Sequence, residues 1–261
     1  MFGAGAPEGR PWLHAATHAA LLVLVLALPR LCRTPRGLAV ARAIVTTVGL
    51  LFVFSSLAWI LPALHPEPYE WRWLAFDRAL FGGDPTVAAQ AWHAPLFVEV
   101  LQLCYAAFYF VPIVVIAAAW HRHGLVVFDR CLALVLFGFL TSYVGYLIWP
   151  TLPPSRFLWH AREIEGVWLA RELHAALAAA ELHRWNCFPS GHTMLSVLSL
   201  VLAWRYVRRV FWILLVPATL LVLSTVVLRY HYVTDVLAGL LGVPLALAVG
   251  ERILRADDAS T

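Results

Sequence analysis

Long apolar runs, separated by short polar segments that carry arginine, dominate the chain. A membrane-spanning helix needs about 20 mainly apolar residues, and seven runs come close to or exceed that length. We therefore predict an all-α integral membrane protein, a bundle of six or seven transmembrane helices. The candidate spans are Trp12–Leu31, Leu38–Leu64, Leu96–Trp120, Val126–Trp149, Pro189–Tyr206, Val210–Leu228 and Val233–Ile253. We expect the first to be an uncleaved span, because its apolar run ends in Pro29 and Arg30 and not in a small-residue cleavage site.

The composition supports this prediction and excludes other classes of protein. Of the 261 residues, 62% are hydrophobic and 13% are charged, and the mean hydropathy is +0.77. Soluble domains have about 45–50% apolar and roughly 25% charged residues, so a soluble enzyme and a disordered chain are both disfavoured. All 19 basic residues are arginine, which excludes a lysine Schiff base. They form no dense basic run, so we expect no nucleic-acid partner.

Arginine placement predicts which end of the bundle faces the cytoplasm. The short connections after spans one, three and five, together with the carboxyl end, hold eleven arginines against eight on the other side. The positive-inside rule makes the arginine-rich side cytoplasmic. We predict a single membrane domain over residues 1–261, with outer loops at 65–95 and 150–188. The expected location is the inner (plasma) membrane of a bacterium, with the active site facing outside. An amphipathic helix on the membrane surface, or packed over the bundle, is expected within residues 162–182.

Three polar clusters lie at the outer ends of the last four spans, and ionisable groups near a bilayer indicate function. The first follows span four, where a proline-rich segment leads to Arg156. A guanidinium held at this height can bind phosphate oxygens. The alternative is an interfacial arginine in contact with lipid headgroups.

The second cluster is Pro189-Ser190-Gly191-His192, at the start of span five. Ser190 is suited to cap the helix, and Gly191 lets an anion approach the free amides there. His192 lies one turn further on and can exchange a proton near neutral pH. The alternative is an ordinary capped helix with an interfacial histidine.

The third cluster contains Arg229, His231 and Asp235, between spans six and seven. His231 and Asp235 are four residues apart, so on a helix they share a face and can touch. A histidine oriented by a carboxylate can act as a nucleophile toward phosphorus. The alternative is a structural hydrogen bond at the start of a helix.

Together the clusters contain the groups that phosphoryl transfer without a metal requires. His192, His231 and Asp235 could form a facial metal set, but no second carboxylate lies beside them in the sequence. The four cysteines are isolated, and we expect Cys187 to be incidental. We predict no metal and no cofactor.

These residues resemble the type 2 phosphatidic acid phosphatase superfamily of membrane lipid phosphatases. Pro189–His192 matches its second motif completely, His231 and Asp235 match the back half of its third, and the resemblance covers residues 140–250. The lysine of the first motif is missing, and Thr225 stands where the third motif has arginine. Arg229 or Thr225 could replace that arginine. The stretch Asp77–Pro85 and the third motif are similar to the branch that includes inositol phosphorylceramide synthases.

The resemblance implies a role for each residue. His231 would attack phosphorus and form a phosphohistidine, Asp235 would orient it, and His192 would protonate the leaving oxygen and then activate the acceptor. The phosphoryl oxygens would be held by a set of phosphate-binding residues. That set is Arg156, Ser190, Gly191 and Arg229.

The predicted function is metal-independent removal or transfer of a phosphoryl group from a lipid phosphate in the bilayer. The alternative is a phosphotransferase that moves a headgroup such as phosphoinositol to an alcohol acceptor. A transporter of a phosphorylated or lipidic solute is less favoured, because transporters place their polar groups at mid-membrane. A further alternative is a non-catalytic scaffold protein that has kept the fold. Polar residues of span three could line the substrate groove or bond to neighbouring helices; they are Glu99, Gln102, Tyr105 and Tyr109. The lipid and the oligomeric state are not indicated.

Overall fold

The computed structural model describes residues 11–180 and 185–258, and these residues are almost entirely helical. The β structure of the described residues is an isolated parallel bridge between Thr151 and Asn186. The helices are α1 Pro11–Leu31, α2 Pro35–Leu64, α3 Glu70–Phe81, α4 Pro85–Ala88, α5 Pro95–Ala106, α6 Phe110–His123, α7 Leu125–Ile148, α8 Pro154–Phe157, α9 Ala170–Ala180, α10 Gly191–Tyr206, α11 Arg208–Val227 and α12 Val233–Asp258. The all-α prediction is confirmed.

Six helical stretches of the described chain are long and apolar enough to cross a membrane. They correspond to the predicted spans one to four, six and seven. The fifth predicted span is α10, whose 16 residues extend only about 24 Å, less than the thickness of the hydrocarbon core. The six apolar helices indicate an integral membrane protein.

The chain forms two compact units, Met1–Glu67 and Pro68–Thr261. In the first unit α1 packs against α2. The α2 helix begins with Pro35 after Thr34, whose hydroxyl accepts a hydrogen bond from the Gly37 amide at 3.0 Å. Proline at the first helical position costs no hydrogen bond, because that amide has no partner inside the helix.

The second unit is organised around α10. This helix packs against α6, α7, α11 and α12, and its core side chains Leu195, Leu198 and Leu202 are completely buried. By contrast, the outer face of α11 exposes large apolar side chains, among them Ile213 and Val216. An exposed apolar face on a spanning helix is the surface that lipid covers.

The third predicted span is interrupted near its middle. Between α5 and α6, residues Ala107–Tyr109 form a 3₁₀ turn. Pro112 accounts for the break, because it has no amide hydrogen and its ring clashes with the carbonyl of Phe108 in a regular α-helix. The predicted surface helix of the second outer loop is α9. The first outer loop contains a further helix, α3, that is not among the predicted elements.

Candidate active site

The start of α10 carries Ser190, Gly191 and His192. Ser190 is the N-cap, and its hydroxyl accepts hydrogen bonds from the amide of Thr193 at 3.2 Å and from the Thr193 hydroxyl at 3.0 Å. Of the other amides of this first turn, that of Gly191 donates to the Tyr146 hydroxyl, and that of His192 has no partner within the helix. Amides at a helix start of this kind can bind an anion. The local prediction of a capped helix start is confirmed.

Two glycines allow the helix ends to come close together at this point. A Cβ atom on Gly191 would lie 2.6 Å from the Tyr146 hydroxyl oxygen, which belongs to α7. A Cβ atom on Gly239 of α12 would lie 2.6 Å from the carbonyl oxygen of Ser190. Both positions therefore require glycine for α10 to lie so close to α7 and α12.

A tight turn between α11 and α12 positions His231. Arg229 adopts a left-handed conformation with φ = 66°, which reverses the chain. The Thr225 carbonyl oxygen then accepts hydrogen bonds from the amides of Tyr230 and His231, each at 2.8 Å. The Thr225 hydroxyl donates to the carbonyl of Val222 at 2.7 Å, so its hydrogen is used within α11.

His231 and Asp235 are in contact, although His231 lies in the turn before α12 and does not share a helix with Asp235 as their spacing predicted. The Nδ1 atom of His231 lies 3.4 Å from the Asp235 Oδ2 atom, a long hydrogen bond between buried side chains. The same oxygen accepts the Tyr232 amide at 2.9 Å, and the Asp235 carbonyl accepts the Ser190 amide at 2.9 Å. These bonds fix the carboxylate and join the start of α12 to that of α10.

The second histidine of the site, His192, lies beside His231. Their ring centroids are 5.7 Å apart, and the ring planes are inclined by 58°. Tyr105 stacks on His192 at 4.5 Å and on Tyr230 at 3.8 Å, and Phe108 contacts His192 at 4.3 Å. Tyr105 precedes the 3₁₀ turn of span three and Phe108 lies within it, so this span orients the His192 ring.

Asp77 is a site residue whose role the sequence analysis missed. From α3, its buried carboxylate accepts the amides of Val233 and Thr234, each at 2.9 Å, and the Thr234 hydroxyl at 2.5 Å. It therefore caps α12, the helix that carries Asp235. A signal was present in the sequence: Tyr232, before the span, is not a capping residue, so a buried helix start needed acceptors from elsewhere.

Cys187 also takes part in the site, contrary to the expectation that it is incidental. Its Sγ atom donates to Asp235 Oδ2 at 2.9 Å and lies 3.4 Å from His231 Nδ1. Thr151 holds the cysteine in place, because its carbonyl accepts the Cys187 amide at 3.2 Å. Within the described residues, Cys187, His231 and Asp235 form a group that could hold a metal ion.

The two arginines of the predicted site lie near His174 of α9. Arg156 on α8 is exposed. The Arg229 guanidinium is buried and donates to the carbonyl of Arg162. Both cations lie near His174, and burial together with these two charges lowers the pKa of His174. The His174 Nδ1 atom is 2.8 Å from the Tyr230 hydroxyl.

The polar side chains of span three bond to neighbouring segments. The Glu99 carboxylate accepts four backbone amides at the start of α9, those of residues 167–170, at 2.9–3.2 Å. Gln102 accepts the Tyr230 hydroxyl at 3.0 Å. The sequence left two interpretations open, that these side chains line the substrate groove or that they bond to neighbouring helices. The contacts of Glu99 and Gln102 agree with the second.

Comparison with known proteins gives the family. The PAP2 superfamily model matches residues 72–249. A PA-phosphatase related-family protein of Dictyostelium discoideum is 23% identical over 193 residues, 65% of this chain and 35% of that protein, so the chain spans about a third of that relative. No solved structure matches the chain. Because the family match covers more than half of the chain and all three polar clusters, the chain belongs to the PAP2 superfamily, as the motifs predicted.

Proposed function

We propose that this protein is a membrane-embedded lipid phosphatase that uses no metal ion and works through a phosphohistidine on His231. One observation carries the proposal: His231 touches Asp235 on one side and lies 5.7 Å, between ring centroids, from His192 on the other. A nucleophile, the carboxylate that orients it and a second proton-transfer group thus lie within one site.

In the first step the Nε2 atom of His231 attacks phosphorus, because Nδ1 faces Asp235. The new N–P bond forms as the bond from phosphorus to the lipid oxygen breaks. His192 gives its proton to that oxygen, and Asp235 stabilises the positive charge on the His231 ring. The lipid leaves as an alcohol, or as a monophosphate when the substrate is a diphosphate.

In the second step His192, now neutral, removes a proton from a water molecule. The water oxygen attacks phosphorus, the N–P bond breaks, and inorganic phosphate leaves. His192 regains its proton and His231 regains its lone pair, so the site returns to its starting state.

The developing charge on the phosphoryl oxygens requires fixed donors. Ser190 supplies one at the start of α10, where the helix dipole also favours an anion, and the Gly191 amide supplies another when it exchanges the Tyr146 hydroxyl for a phosphoryl oxygen. Arg156 and Arg229, which lie near His174 at the edge of the site, are the candidate sources of positive charge. Arg229 must exchange the Arg162 carbonyl for a phosphate oxygen to take part.

The position of the site supports a lipid substrate. Its groups come from the ends of α7, α10, α11 and α12, where a headgroup meets the helices, and mid-membrane polar groups of the transporter kind play no part in it. The arginine bias supports our proposal that this end faces outward, on the periplasmic side of a bacterial inner membrane. Phosphatidic acid, phosphatidylglycerol phosphate and polyprenyl diphosphates share the required phosphoryl group and apolar tail.

Transfer to an alcohol is the second candidate, and the burial of the dyad favours it. His231 is 4% exposed and Asp235 is completely buried, so bulk water has restricted access to the reacting nitrogen. An acceptor that binds in place of the leaving lipid would meet His192 in the same position as water. The chemistry of the first step is unchanged.

Phosphate release from a panel of lipid phosphates, by the purified protein in detergent with EDTA, tests the proposal. We expect release by the wild type and by His121→Ala, whose exposed histidine lies at the other end of α6. We expect none from His231→Ala. Undiminished release by His231→Ala, or a requirement for a divalent ion, would contradict the mechanism.

Radiolabelled substrate separates the two acceptors and detects the intermediate. Acid-labile, alkali-stable label on the wild-type protein, absent from His231→Ala, identifies the phosphohistidine. Label that moves to added inositol or glycerol, with no release of phosphate, assigns the transferase activity.

A further inference from the structure

Three side chains that can each bind a metal ion meet in the site: those of Cys187, His231 and Asp235. The Cys187 Sγ atom lies 2.9 Å from Asp235 Oδ2 and 3.4 Å from His231 Nδ1, and the last two atoms are 3.4 Å apart. All three residues are buried, and their ligand atoms lie within 4.8 Å of one another. The proposed reaction uses only the histidine and the carboxylate, so the thiol has no part in it.

We propose that Cys187, His231 and Asp235 bind a thiophilic divalent cation such as Zn²⁺, and that the bound ion inhibits the enzyme. Thiolate, imidazole and carboxylate are the three ligand types that zinc takes in proteins. At its usual bond lengths of about 2.0–2.3 Å, a tetrahedral ion separates its ligand atoms by roughly 3.3–3.6 Å. Two of the three separations already have this value, and only Cys187 and Asp235 must move apart, by about 0.6 Å.

The carboxylate provides an independent indication of a ligand. Asp235 Oδ1 is completely buried, and the described residues offer it no hydrogen-bond partner. A buried carboxylate oxygen without a partner is costly, and a cation bound to that carboxylate lowers the cost because it offsets the negative charge that both oxygens share. Water completes the coordination, as it does in zinc sites that have three protein ligands.

The inhibitory effect rests on the proposed function and follows from the proton balance. On binding, the Cys187 thiol loses its proton to solvent and the thiolate bonds to the ion. The ion occupies Nδ1 of His231, so the ring proton moves to Nε2. A protonated Nε2 has no lone pair for attack on phosphorus, and Asp235 is no longer available to orient the ring.

Cobalt absorption tests binding without any substrate. We expect Co²⁺ added to the purified full-length protein to give a thiolate-to-cobalt band in the near ultraviolet, and Zn²⁺ to displace it. The band should persist in Cys131→Ser, which alters a cysteine that is equally buried but lies in α7, and vanish in Cys187→Ser. A wild-type protein without the band, or a band that Cys187→Ser retains, would overturn the proposal whether or not the protein is a phosphatase.

Turnover measured against Zn²⁺ concentration tests the inhibition. We expect Zn²⁺ to suppress phosphate release by the wild type and by Cys131→Ser, and EDTA to restore it. The inhibitory concentration should rise at least about 100-fold in Cys187→Ser, because loss of a direct ligand costs more than the 10–100-fold of an outer partner. Activation by Zn²⁺, or equal sensitivity of wild type and Cys187→Ser, would overturn the inhibitory role even if cobalt binds.

Discussion

The starts of α10 and α12 lie side by side in the site, yet they are stabilised in opposite ways. At α10 the cap is local: Ser190 accepts the amide of Thr193, three residues further on. At α12 the cap comes from Asp77, 156 residues before Val233 in the chain. One helix start is therefore fixed by its own sequence and the other by a distant segment.

This difference separates two proposed chemical roles: phosphate binding and proton transfer at the start of α10, and nucleophilic attack at the start of α12. The α10 start presents amides and His192 from a rigid local motif. The α12 start carries His231 and Asp235 but depends on α3 for its position, so a change in the first outer loop reaches the nucleophile through Asp77. Helix α3 of the first outer loop and the start of α12 are thus linked through Asp77.

The largest expected effect distinguishes the two histidines. We expect His231→Ala to abolish turnover of every substrate, since no nucleophile remains. His192→Ala should slow release from an alkyl phosphate by about 10²–10⁴-fold, the usual contribution of a general acid or base. A nitrophenyl phosphate ester needs no protonation of its leaving group, so His192→Ala should release one burst of nitrophenol and accumulate phosphoenzyme.

Two measurements compare these variants: the size of the nitrophenol burst, and the amount of radiolabelled phosphoryl group trapped on the protein. Equal loss on both substrates in His192→Ala, with no burst, would show that the α10 histidine does not act as the acid. A burst from His231→Ala would exclude that residue as the nucleophile.

The next largest effect concerns the distant cap. Asp77→Ala leaves the amides of Val233 and Thr234 without their acceptor, which we expect to lower the free energy of unfolding by about 2–4 kcal/mol. The start of α12 should shift, and turnover should fall about 100-fold, the effect of roughly 1 Å of misplacement. Thermal unfolding in detergent and steady-state kinetics measure both.

Asp84→Asn is the matched control for Asp77→Ala. Asp84 lies in the same outer loop and pairs with Arg78, whose side chain is largely exposed. Exposed ion pairs contribute about 0–1 kcal/mol, so stability and turnover should stay close to those of the wild type. Equal losses in both variants would mean that the loop as a whole, and not the cap, supports the site.

Features with a local cause were predictable from the sequence. Apolar runs marked the spans, because a bilayer demands length and hydropathy from each helix separately. The Ser190 cap follows from spacing along one helix, and the short separation of His231 and Asp235 brings them together although His231 lies in the turn before α12. The family match confirms the membership that these motifs predicted.

Features that depend on contacts between distant segments were not predictable. Nothing near Asp77 identifies α12 as its partner, and Cys187 meets His231 only because Thr151 pairs with the segment before α10. The contact that Arg229 makes with the Arg162 carbonyl is equally non-local. The 3₁₀ break beside Tyr105 was missed although Pro112 was visible, because apolar content alone defined that span.

A second distant carboxylate extends the comparison beyond the site. Glu99 caps α9 as Asp77 caps α12, with four amides as donors. Glu99→Gln replaces one carboxylate oxygen, which accepts hydrogen bonds, by an amide group that donates them. We therefore expect the local stability of residues 167–180 to fall by about 1–3 kcal/mol and their amide hydrogens to exchange faster. Hydrogen exchange with mass spectrometry reads this segment, and peptides from α7 serve as the internal reference. Unchanged exchange in α9 would show that Glu99 does not hold the helix.

The smallest expected effect is at the local cap. Ser190→Ala should lower the free energy of unfolding by about 1 kcal/mol, whereas Ser190→Asn should restore it, since asparagine caps as well as serine. These two variants distinguish a role of Ser190 in binding phosphate from its role as a helix cap. The asparagine side chain is larger than that of serine and would occupy the place of the phosphoryl oxygens. KM should therefore rise in Ser190→Asn even though its melting temperature matches that of the wild type. If KM follows the melting temperature in both variants, Ser190 acts only as a cap, and the anion site of α10 consists of backbone amides alone.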